Sequence, residues 1–81
     1  SGTLYNVEIE KKKVRNLGAR LILEVDRGTQ VIIQGSVFDQ YGRSLYGAEV
    51  KIERLSADGS ARRAGSDFTS EAGEFAFRFP E

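Results

Sequence analysis

Eighty-one residues are enough for one domain and not for two, and a chain this short buries only ~60–65% of the surface its unfolded form exposes, which argues against a deep active-site cleft. Twelve Lys and Arg balance twelve Asp and Glu, so no net field draws nucleic acid or an anionic membrane. With neither Cys nor His, the usual structural zinc site and the Cys-His or Ser-His nucleophile pair are both excluded.

From the N-terminus the pattern is period two. Tyr5, Val7 and Ile9 share one face of a first strand, and Asn6, Glu8 and Glu10 take the other. Lys11-Lys12-Lys13-Val14-Arg15 follows, read as a solvated hairpin tip that also protects a sheet edge, and Asn16-Leu17-Gly18 turns the chain. A second strand sets Ala19, Leu21, Leu23 and Val25 against Arg20, Glu24 and Asp26, with Ile22 breaking the pattern. Residues 1–28 are thus expected to form an N-terminal β-hairpin, closed by a turn at Asp26-Arg27-Gly28.

Residues 29–81 carry the rest of the domain. Val31, Ile33, Gly35 and Val37 alternate with Ile32, Gln34, Ser36 and Phe38 in a third strand; Ala48, Val50 and Ile52 alternate with Glu49, Lys51 and Glu53 in a fourth. Ala57-Asp58-Gly59-Ser60 reads as a hairpin turn. Ala61 to Thr69, rich in small and charged residues, reads as an edge strand. After a turn at Glu71-Ala72-Gly73, Phe75, Phe77 and Phe79 line one face of a last strand, where they are expected to supply a large share of the core. Pro80, lacking an N–H, ends that ladder. No segment has a helical period, and no apolar run exceeds three residues, too few to span a bilayer. The fold class is therefore all-β: a small antiparallel β-sandwich of six to seven strands, or a partly open barrel.

Between the third and fourth strands, Val37 to Ile52 reads VFDQYGRSLYGAEVKI. Gly42 and Gly47 mark two reversals there, because glycine takes positive φ cheaply. From Gln34 onward the chain resembles the carboxypeptidase regulatory-like domain, a transthyretin-like (prealbumin-like), Ig-like β-sandwich. The matching residues are Gly35, Val37, Asp39, Gly42, Leu45, Gly47, Ala48 and Val50, then Thr69, Gly73 and Phe75, so the likeness spans about residues 31–79. Ser44 and Tyr46 stand where that family usually has proline, and Ser70 where a second Asp is common. The family continues past its last matching strand with further strands, whereas here Gly2–Ile9 and Arg20–Val25 look like those pieces placed at the N-terminus. A permuted order, the tail of a preceding repeat, or an unrelated N-terminal hairpin would each account for them. The permuted order requires residues 4–10 to pair beside residues 74–79.

The resemblance implies an accessory domain without chemistry of its own. It points to a structural spacer or protein-interaction module of a larger bacterial protein, placed outside the cytoplasm in the periplasm or on the cell surface. Its partners would be other domains of the same protein or a separate protein. No catalytic, cofactor-binding or metal-ligating residue is assigned, and neither nucleic acid nor direct membrane insertion is expected. Phe38, Tyr41, Arg43 and Tyr46 cluster at the signature turns and offer a stacking surface for a sugar ring, since Tyr and Arg are enriched where surfaces recognise partners. A carbohydrate-binding module is thus the alternative reading. A second alternative is a homo-oligomer formed by pairing of exposed strand edges.

Overall fold

Alternating side chains and glycine-bearing turns give six strands and, among the described residues, no helix. The computed structural model describes residues 4–26 and 30–80, with Val25 and Asp26 described by their backbone alone. The strands are β1 (Leu4–Glu10), β2 (Gly18–Asp26), β3 (Gln30–Phe38), β4 (Glu49–Leu55), β5 (Ala61–Phe68) and β6 (Glu74–Pro80). They pair antiparallel in two open three-stranded sheets, ordered β1-β4-β5 and β2-β3-β6. The all-β sandwich is what the alternation predicts; with both sheets open, the barrel form is not adopted. Arg27 and Gly28 of the expected turn into the third strand lie outside the described residues.

The core comes chiefly from the two central strands. Val31, Ile33 and Val37 of β3 meet Val50 and Ile52 of β4, with Ala48 just before β4 and Phe75 on β6 completing the buried cluster. Burying each of the larger side chains contributes roughly 1.5–3 kcal/mol. Register adds β1 to this layer: Val7 pairs with Ile52 and Ile9 with Val50. Cross-strand partners share a face, so both turn inward and pack on the cluster. At the other end Tyr5 of β1 stacks on Phe79 of β6 at 5.5 Å, joining the two sheets by their aromatic rings. On β5, Gly65 leaves room for Phe77, whose ring a Cβ there would approach to 3.3 Å.

Three expectations need correction. Residues 4–26 do not form a hairpin, because β1 pairs with β4 and β2 pairs with β3, in different sheets. The intervening segment is a crossover, turned by a Val14 N–H to Lys11 carbonyl bond and by left-handed backbone at Lys13 and Asn16. By the same pairing β1 does not lie beside β6, so the permuted strand order fails. Its inward residues are instead taken by Val50 and Ile52. Finally, the Phe side chains are not equal: Phe75 is buried, whereas Phe77 and Phe79 are only half-buried against the aromatic end of the sandwich.

β2 departs from its pattern in a different way. Leu21 pairs with Gly35 and Leu23 with Ile33, so they face the inner side, as alternation requires. Yet Leu21 is 50% and Leu23 65% exposed, and no described β2 residue belongs to the core cluster. β2 is the outer strand of its sheet, and it overhangs the opposite layer.

Candidate binding surfaces

The signature turns are built around one carboxylate. Asp39 follows β3, and its Oδ1 accepts the N–H groups of Tyr41 and Arg43, both at 2.9 Å. Arg43 Nε donates to Oδ2 at 2.9 Å. The backbone closes the same loop, with Gly42 N–H donating to the Asp39 carbonyl and Asp39 N–H to that of Arg43. This is an Asx-type turn, in which a short acidic side chain replaces backbone partners, and Gly42 supplies the φ of +82° that it requires. The Arg43 N–H, then that of Tyr41 and the guanidinium, hold the Asp39 carboxyl below the ordinary carboxylate value. Both oxygens are consumed within the turn, so the role of Asp39 is structural.

Thr69 secures the far side. Only 2% exposed, it accepts the Ala48 N–H through Oγ1 at 2.9 Å and donates that hydroxyl to the Leu45 carbonyl at 2.6 Å. Its backbone exchanges further bonds with Gly47 and Ala48. Sequence reasoning placed Thr69 only as a motif letter. The available signal was a hydroxyl residue directly after an edge strand, beside the turn that leads into β4.

Of the four sequence-assigned residues, the structure brings Tyr41 and Arg43 together. The Arg43 guanidinium lies 5.2 Å from the centroid of the Tyr41 ring, a cation–π contact worth about 0.5–1 kcal/mol at an exposed site. Both border an open depression of about 470 Å³ that Lys13, Arg15, Asn16 and Gln40 also line. Asn16 Nδ2 donates to Gln40 Oε1 at 3.3 Å, tying the crossover to the turn. Phe38 does not line the depression; its ring is half-buried against Gly18, where any Cβ would run into it. Tyr46 is exposed but does not line the depression; its carbonyl instead accepts Lys11 Nζ at 2.7 Å. The basic cluster is divided as well, since Lys11 and Lys12 border a separate opening with Gly47 and Phe68.

The second surface is β2. Arg20, Leu21, Ile22, Leu23 and Glu24 are all exposed, and no described strand pairs with the outer side of β2. At nine residues it is the longest of the four edge strands. The other edges carry devices that discourage pairing: β5 has Arg62, Arg63 and Asp67 with a register shift opposite it, β6 ends in Pro80, and β1 alternates Glu8 and Glu10 outward. β2 has charges too, in Arg20 and Glu24, but sets three consecutive exposed apolar residues between them. Comparisons with protein-family models, with characterised proteins and with solved structures find no match for this chain. The likeness of residues 31–79 to the carboxypeptidase regulatory-like domain therefore rests on the residues quoted for it.

Proposed function

We propose that this chain is a non-enzymatic interaction module of a larger exported or surface protein, and that it binds protein through β2. The observation that carries this is the exposure of Leu21, Ile22 and Leu23 on an edge that no described strand covers. A passive spacer gains nothing from three adjacent apolar side chains in water beside a row of unpaired backbone groups, whereas a strand-pairing partner satisfies both. The experiment is a photo-crosslinking residue placed at position 22 in the cells that make the protein. Protein adducts at position 22, absent when the same residue replaces Asn6 on the outer face of the other sheet, are expected. A silent position 22 refutes the reading.

A second reading has its own observation in the Tyr41–Arg43 pair beside a depression lined by polar side chains. Aromatic faces with flanking amide and guanidinium donors suit sugar rings, although Arg43 already occupies one face of Tyr41. An amide-resolved NMR titration with soluble oligosaccharides tests it: shifts at Lys13–Asn16 and Gln40–Arg43 support it, and an unmoved spectrum rejects it.

A further inference from the structure

The sequence of β2 fits a copy of itself. When two antiparallel strands are related by a two-fold axis normal to the sheet, each residue meets one of equal parity, so only registers that pair even with even and odd with odd survive. Among these, the register centred on Ile22 overlaps the full nine residues, because Ile22 is the middle of Gly18–Asp26. It sets Arg20 opposite Glu24 at both ends of the junction, Leu21 opposite Leu23 twice, and Ile22 opposite its own copy. Shifting the centre to Leu21 or Leu23 breaks this: Arg20 then faces Ile22, or Ile22 faces Glu24. Charge and apolar complementarity thus coincide in one register, which is also the longest.

Taking β2 as the interaction surface proposed above, we propose that its partner is a second copy of this chain. The two β2 strands join antiparallel about an axis through Ile22. The product is a continuous six-stranded sheet, β6-β3-β2 running into β2-β3-β6 of the second copy. Leu21 and Leu23 of both copies form one apolar strip on the inner face, and the two Arg20–Glu24 pairs flank the Ile22 pair on the outer face. Because an isologous junction consumes both β2 edges, the assembly closes at two copies and does not propagate.

Sedimentation equilibrium of the 81-residue chain, extended to ~1 mM, reads the mass directly. The native chain is expected to approach twice its monomer mass as concentration rises. Arg20→Glu alone, or Glu24→Arg alone, places like charges opposite each other at both ends, and either is expected to weaken dimerisation roughly tenfold. An equimolar mixture of the two single variants is expected to recover a dimer of mixed composition, and so is the chain carrying both substitutions. Both side chains are exposed in the monomer, so dispersed NMR spectra should persist throughout. Dimerisation indifferent to these exchanges overturns the register. A monomer at every concentration overturns the self-pairing, while adducts to another protein at position 22 would still uphold the interaction module.

Discussion

Replacing the Thr69 hydroxyl by a methyl group tests whether the Asp39–Gly47 segment is held by buried polar bonds or by packing. Thr69→Val keeps the volume and the β-branch but removes both hydroxyl bonds. The Ala48 N–H and the Leu45 carbonyl are left without their partner in a region where Thr69 is 2% exposed. A buried polar group deprived of its partner costs about 1–3 kcal/mol, so roughly 2–4 kcal/mol is expected for the pair. A domain of 81 residues has in total only about 4–12 kcal/mol, and the corresponding fall in Tm is ~10–25 °C. Thr69→Ser is the control: it keeps the hydroxyl and gives up one methyl, for about 1 kcal/mol. Urea unfolding of the two variants beside the native chain supplies the comparison, with equal m-values required. A valine variant as stable as the serine variant would show that water or a backbone shift satisfies those groups, and the clamp would lose its meaning.

Gly35→Ala drives a Cβ into the Arg20 carbonyl oxygen and to 3.0 Å from the Phe75 ring; being backbone, the first obstacle cannot swing away, and a loss of ~1–3 kcal/mol is expected in urea unfolding. A neutral alanine there would mean that β2 moves freely over β3. Phe75→Ala is expected to cost ~3–5 kcal/mol and Phe77→Ala distinctly less, because Phe75 is buried and Phe77 half-buried; the reverse order of urea midpoints would contradict the packing described. The lowered carboxyl of Asp39 contributes stability that is fully present above the ordinary value of 3.8 and lost as pH falls through the lower folded value. Asp39→Asn is expected to flatten that part of the acid dependence of thermal unfolding, leaving the portion due to Asp58, whose carboxyl is lowered by the Ser60 hydroxyl and N–H. An unchanged acid limb would assign the dependence elsewhere.

Strand positions were legible wherever one face is buried and the other wet. β4 shows this best: Val50 and Ile52 are buried and Lys51 is held outward between Glu10 and Glu49. Edge placement of β5 was legible too, from its small and charged residues. Pairing between distant strands was not. Tyr5, Val7 and Ile9 alternate identically whether β1 joins β2 in a hairpin or β4 across the sandwich, since alternation names a face and never a neighbour. The meeting of Lys13–Asn16 with Gln40–Arg43 depends on that same pairing, so the depression beside Tyr41 was invisible in the sequence. Thr69 was missed for another reason, as its importance lies in two backbone groups that sit 21 and 24 residues away in the chain.

The motif that best resembles a known family is also the part least free to bind. Asp39 spends both oxygens on its own turn, Thr69 spends its hydroxyl on Leu45 and Ala48, and Gly42 and Gly47 are held at positive φ. Such residues specify a backbone path, so the likeness speaks to fold and says little of what the fold is for. β2 is the opposite case. Its local sequence obeys a strand pattern, yet tertiary structure leaves that pattern uncovered, and in natural proteins conflict between levels concentrates at functional positions. A solitary domain would relieve the conflict cheaply, by one lysine at position 21 or 23 facing water. Instead Arg20 and Glu24 bracket three apolar residues symmetrically about the strand's midpoint, an arrangement that solubility alone does not require and that complements an antiparallel copy of the same strand.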